Sequence, residues 1–146
     1  LEALEHISHF LPYIELTDFA LAFDEPLTKV SMLATNVGTR LGVVGEPITV
    51  EASEAFLAKL AAMQVIVTDQ DGREIGRGEG RDMMEHPLNS VLWLAHGLSY
   101  DGVRLVEGDK LSLGAFVPAA VPQAGTTIKV QYLGLPGDPS VSVSFR

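Results

Sequence analysis

The tetrapeptide Asp69-Gln70-Asp71-Gly72, standing between the runs Leu60–Thr68 and Arg73–Gly78, is the strongest constraint in this sequence. An Asp-Gly pair between two such runs supplies the positive φ that a tight hairpin turn needs. The chain is therefore expected to build antiparallel sheet around this point. Further strands are expected at Lys110–Phe116, Thr126–Tyr132 and Ser140–Phe145, which Pro- and Gly-rich turns separate. Earlier, Pro12–Asp18 alternates: Tyr13, Glu15 and Thr17 share one face, Ile14 and Leu16 the other. Leu41–Val50 is β-like, but Gly45 and Pro47 interrupt it, so an edge or a bend is expected there.

Helices punctuate this pattern. Leu1, Leu4, Ile7 and Leu11 follow helical spacing, and Thr28–Val37 does so as far as the stop signal at Gly38. Pro87–Leu98 is the clearest helix. Pro87 suits a first turn, and Leu88, Val91, Leu92, Ala95 and Leu98 form one stripe. Glu54–Met63 has helical composition with Ser53 as a possible N-cap, yet the hairpin favours a strand from about Leu60. Phe19–Pro26 and Ser99–Asp109 read as loops. Without repeats or linkers, residues 1–146 read as a single α+β domain, mainly β: a mixed β-sandwich or roll with about three helices.

Composition narrows the function classes. With 146 residues the chain is long enough for one core. A net charge of −9 argues against gripping phosphate backbones. The densest apolar stretch, Leu60–Val67, already contains Gln64, so no spanning segment is expected. The absence of cysteine removes disulfides, thiolate catalysis and Cys-type zinc sites. Leu1 falls inside an expected helix, so the sequence reads as beginning partway through a longer polypeptide.

Few side chains offer chemistry. Glu15 has two readings: a strand residue facing solvent, which alternation favours, or an inward carboxylate for Mg²⁺. Asp69 and Asp71 have ligand-like spacing, although hairpin chemistry accounts for both. His6 and His9 are expected on one helix face, with no third zinc ligand apparent. His86 either caps the long helix or points into a cleft at its N-terminus. Gly76-Arg77-Gly78-Glu79-Gly80 lacks phosphate-loop spacing, and close backbone approach explains it better. Ser90 and Ser99 lack a nucleophile-elbow context, and Trp93 is expected to pack.

The order of several segments resembles the C-terminal part of 2-keto-4-pentenoate hydratases of the fumarylacetoacetate hydrolase superfamily, which also holds 4-oxalocrotonate decarboxylases. The segments are Leu11-Pro12-Tyr13-Ile14-Glu15-Leu16-Thr17-Asp18, Ala34-Thr35-Asn36, Gly76–Gly80 with His86-Pro87-Leu88 through Trp93-Leu94-Ala95, and Gly108-Asp109-Lys110-Leu111 through Gly114-Ala115. The resemblance implies the superfamily's C-terminal fold. It further implies metal-assisted hydration of a 2-hydroxydienoate to a 4-hydroxy-2-oxo acid in aromatic-compound catabolism. With it come Mg²⁺ or Mn²⁺, a small oxo-acid ligand, a cytoplasmic setting and a homo-oligomer. Glu15 matches the family's later metal carboxylate. Asn36, His86, Gly114 and Ala115 are then expected to line the substrate cleft beside it.

Three departures qualify this. No Glu-x-Glu pair occurs in the chain, Thr35 replaces the Asp of the family's Ala-Asp-Asn, and Glu85 replaces the Gly before His-Pro. The family's paired metal carboxylates and lysine region lie upstream of the matched part. The chain alone is therefore expected to hold Mg²⁺ poorly and to be catalytically silent. The alternatives are a non-catalytic scaffold or binding module for small oxo-acids, or a decarboxylase-like member.

Overall fold

A computed structural model describes residues 1–22 and 24–146; Phe23, within the expected loop Phe19–Pro26, lies outside the described residues. Among the described residues every strand pairing is antiparallel. The elements are α1 (Glu2–Glu5), β1 (His9–Phe10), β2 (Tyr13–Thr17), α2 (Lys29–Ala34), β3 (Thr39–Val44), β4 (Ile48–Thr49), α3 (Glu54–Ala62), β5 (Gln64–Thr68), β6 (Glu74–Glu79), α4 (Pro87–Tyr100), β7 (Thr127–Leu133) and β8 (Ser140–Ser144). A four-stranded open sheet runs β6-β5-β7-β8, flanked by the two-stranded ribbons β1-β4 and β2-β3. The class is α+β and mainly β.

The hairpin forms where the sequence places it. Asp69 Oδ1 accepts the amides of Asp71 (3.0 Å) and Arg73 (2.9 Å), and Gly72 takes φ +77°. These bonds close an Asx-type turn. Register then sets the two faces of the sheet. Val65 faces Gly78 and Tyr132, while Val67 faces Gly76 and Val130. These residues form the core side, with Val141 opposite Val130. Phe56, Leu60, Met63, Leu4 and Leu88 cover that side. The other face carries Gln64, Arg77 and Glu74, with Arg77 held to Gln64 (2.9 Å) and Glu74 (2.7 Å).

Several local expectations change. Leu1–Leu11 is not one helix: α1 ends at Glu5, and His9–Phe10 instead pairs with Ile48–Thr49. A partner strand outweighs weak local helicity in so short a segment. His6 and His9 therefore lie on different elements. The α3 helix continues through Leu60 to Ala62, because Ser53 accepts the Phe56 amide (3.1 Å) and Phe56 and Leu60 bury one helix face. Lys110–Phe116 forms no strand. Its end passes over the core face of β6, where the Phe116 carbonyl fills the space a Gly78 side chain would need and Val117 packs on Gly76. A chain crossing a face cannot join the ladder at the edge.

The α4 helix docks by its first turns. Pro87 and Leu88 are buried and Val91 packs on the core, whereas Trp93 is 68% exposed and does not pack as expected. Among the described residues no helix is long and apolar enough to cross a membrane.

Candidate functional site

Glu15 sits mid-strand on β2, opposite Gly42 of β3. Its side chain is exposed, on the face it shares with Tyr13 and Thr17. Ile14, on the other face, packs against the core together with Val43. Thr39, at the start of β3, donates its hydroxyl to Glu15 Oε1 at 3.3 Å. A bulge between Leu16 and Thr17 sets Thr17 opposite Thr39. The space a Gly42 side chain would take holds the Tyr13 ring, hydroxyl included. One carboxylate thus stands beside a phenol and two threonines on an open ribbon face.

The turn leading into β3 is left-handed for three residues: Asn36 (φ 52°), Val37 (φ 56°) and Gly38 (φ 73°). Val37 is the costly one, since a β-branched residue crowds its own carbonyl there. Asp18 N–H bonds to the Gly38 carbonyl (2.9 Å), tying this turn to the end of β2. Asn36 is exposed and immediately precedes the segment carrying Thr39.

His86 caps α4 through its ring. Nδ1 accepts the Leu88 amide at 3.1 Å, and Nε2 lies 3.1 Å from the Leu57 carbonyl of α3. Leu88 N–H can only donate and the carbonyl only accept, so the ring is neutral with its proton on Nε2. Both nitrogens are engaged. A substrate oxygen would have to displace one of these bonds. The open cavity of about 420 Å³ beside His86 is lined mainly by Leu1, Leu57, Ala61, Leu88 and Leu92; Glu15, Asn36, Gly114 and Ala115 do not line it. Gly114 takes φ +109° against the Met83 side chain, and Ala115 follows it, exposed.

The sequence reading thus selects residues that the fold distributes between an open ribbon (Glu15, Asn36), a helix cap (His86) and a crossing segment (Gly114, Ala115). It missed Thr39, Gly42 and Tyr132. Only cross-strand register could have found the first two, and only the packing of two sheets the third.

Among the described residues, no three His, Asp or Glu side chains converge to hold a metal ion. Mg²⁺ binds through one or two carboxylates with water and ligand oxygens completing the shell. Glu15, with Oε2 unbonded among the described residues, fits as one hard ligand and not as a whole site.

The open antiparallel sheet with short flanking ribbons and helices on its core face matches the C-terminal domain of solved neighbours of the fumarylacetoacetate hydrolase type. No protein-family model matches the chain. It is 24% identical over 135 residues to the 2-keto-4-pentenoate hydratase of Paraburkholderia xenovorans (strain LB400), covering 92% of this chain and 48% of that protein. It is 29% identical over 114 residues to the 2-hydroxyhexa-2,4-dienoate hydratase of Comamonas testosteroni, covering 78% and 41%. Two solved structures of 4-oxalocrotonate decarboxylase from Pseudomonas putida G7 superpose at 25% identity over 99% of this chain. The complex with calcium and acetate has a TM-score of 0.80 over 51% of its chain, and that with magnesium and adipate 0.83 over 52%. The chain is a partial homologue of 2-keto-4-pentenoate hydratases and 4-oxalocrotonate decarboxylases of that superfamily, and spans about half the length of the relatives it matches.

Proposed function

We propose that this chain contributes one part of a metal-assisted hydratase that converts a 2-hydroxydienoate to a 4-hydroxy-2-oxo acid. The single observation that carries the reading is the exposed Glu15 carboxylate, held at one oxygen by Thr39 and standing in the segment Leu11–Asp18. Glu15 binds the metal through its other oxygen. A bound divalent cation supplies positive charge opposite the negative charge that develops on a chelated oxo oxygen. The resemblance also assigns Asn36, Gly114 and Ala115 to the substrate end of the site; of these, Asn36 lies in the turn that leads into β3 beside Glu15, whereas Gly114 and Ala115 lie on the crossing segment next to Met83. His86 acts by fixing the start of α4, since both its nitrogens are bonded. Further carboxylates from outside these residues complete the metal shell.

Titration calorimetry with Mg²⁺ and Mn²⁺, on this chain and on Glu15→Gln, tests the assignment. Weak binding that the substitution abolishes is expected, with oxalate adding affinity only when metal is present. Tight binding that Glu15→Gln leaves untouched overturns it.

A decarboxylase-like activity is the second reading, favoured by the magnesium and adipate complex of a structural neighbour. Release of carbon dioxide from a dicarboxylic oxo-acid by the metal-loaded protein distinguishes it from hydration. The same proposal includes self-association. Val30 and Leu33 on α2 are each 76% exposed, and such apolar surface gains from cover. A strict monomer in concentrated sedimentation runs counts against it.

A further inference from the structure

The ribbon carrying Glu15 packs Ile14 and Val43 on the core, and among the described residues its hydrogen bonds to the four-stranded sheet run through one buried phenol. Tyr13 lies opposite Val44, and the Gly45 amide bonds to the Pro12 carbonyl just beyond (2.8 Å). In an antiparallel ladder this makes Tyr13 and Val44 a pair whose own peptide groups point away from each other's strand. Both peptide groups of Tyr13 meet the Tyr132 hydroxyl instead. Tyr13 N–H donates to it at 3.3 Å, and it donates to the Tyr13 carbonyl at 3.2 Å. A phenol hydroxyl, with one proton and two lone pairs, serves both.

Tyr132 is itself firmly held. It lies 4% exposed on β7, edge-on to Phe10 and Phe116 with ring centroids 5.8 and 6.5 Å away. Burial pushes its hydroxyl above the ordinary tyrosine pKa, partly offset by the bond to Tyr13, so it stays a neutral donor and acceptor.

Fixing Tyr13 fixes the strand two residues before Glu15. The side chains of the two leave one face of β2. The Tyr13 ring occupies the space above Gly42, the residue facing Glu15 across the ladder. Thr39 then restrains one carboxylate oxygen.

We infer that Tyr132 is a positioning residue for Glu15: its hydroxyl clamps the Tyr13 peptide groups and so sets where the β2-β3 ribbon presents the carboxylate. The inference rests on the reading of Glu15 as the metal-facing group. It predicts a local effect, because the clamp joins two sheets that share no ladder.

Amide hydrogen exchange on the whole chain and on Tyr132→Phe tests it, with Mn²⁺ broadening of side-chain signals as a second readout. In the variant, amides of Tyr13–Thr17 and Leu41–Val44 should exchange on the order of tenfold faster, the loss of one buried hydrogen-bonding group. Those of β5, β7 and β8 should change far less. A 4-aminophenylalanine at position 132, which keeps the donor to the Tyr13 carbonyl but accepts the Tyr13 amide poorly, should restore part of the protection. Mn²⁺ should broaden Glu15 and Thr39 signals in the unaltered chain and do so several-fold less in Tyr132→Phe. Uniform acceleration across all sheets, or none in the ribbon, overturns the inference. If Mn²⁺ leaves Glu15 unbroadened in the unaltered chain, the metal reading fails, and the exchange data alone decide whether Tyr132 places β2. If Tyr132→Phe does not fold, the unaltered chain decides. The Tyr13 amide, with no strand carbonyl facing it, must rank among the slow ones, and fast exchange there overturns the clamp.

Discussion

The Nε2 atom of His86 lies 3.1 Å from the carbonyl oxygen of Leu57, 29 residues earlier, while Nδ1 of the same ring caps α4 by accepting the Leu88 amide at 3.1 Å. One imidazole thus joins α3 to the start of α4. His86→Asn should keep a serviceable cap and lose the tie to α3, costing about 1 kcal/mol, whereas His86→Ala should lose both and cost about 2 kcal/mol. Urea denaturation of the two variants gives the comparison. Equal costs would mean that the cap contributes nothing.

Glu85, just before this cap, takes φ +67°, a left-handed conformation that strains a residue with a Cβ. The resembling family has glycine at this place, and the structure supplies the physical reason. Glu85→Gly should raise stability by about 0.5–1 kcal/mol with no change in fold. A lower melting temperature would show that the Glu85 side chain gives back more than the backbone loses.

Two glycines should respond in opposite directions. A Cβ on Gly80 would run into the Leu60 carbonyl at the end of α3, whereas one on Gly97 in α4 meets nothing within 4 Å. Gly80→Ala should cost about 3 kcal/mol, since backbone must shift to admit it. Gly97→Ala should gain about 0.5–1 kcal/mol from helix propensity. Thermal melts of both variants settle the pair.

Alkaline pH should loosen the fold through Tyr132. Its folded pKa is raised above 10.0, mainly by burial, so the folded protein holds the proton more tightly than the unfolded chain. Stability is therefore complete below pH 10 and falls as pH rises from there toward the folded value. In an absorbance titration at tyrosinate wavelengths, the portion removed by Tyr132→Phe should lie above pH 10. Ionisation of that portion below pH 10 would mean the hydroxyl is not buried as the structure has it.

Local chemistry carried much of this into plain view. The Asp71-Gly72 turn, the Pro87 helix start and the two C-terminal strands are written in adjacent residues, because a positive φ, a missing amide and strict alternation each act over a few positions. Close backbone approach at Gly78 and Gly80 was also legible, since little but an absent side chain explains that spacing. The resemblance that singled out Glu15 rested on such local strings too.

Tertiary structure decided what those strings could not express. Residues 110–116 have strand-like alternation, yet the chain crosses the face of β6 and forms no ladder. Leu60 belongs to a helix because Phe56, one turn earlier, buries beside it. Glu15 gains Thr39 as a neighbour only through register, and the outward peptide groups of Tyr13 gain a partner only because Tyr132, 119 residues away, arrives from another sheet. Turn and cap preferences are set by a residue's own backbone and its nearest neighbours. Register, face and hydrogen-bond partner across sheets are properties of distant segments brought together by burial, so they exist only once the core has formed.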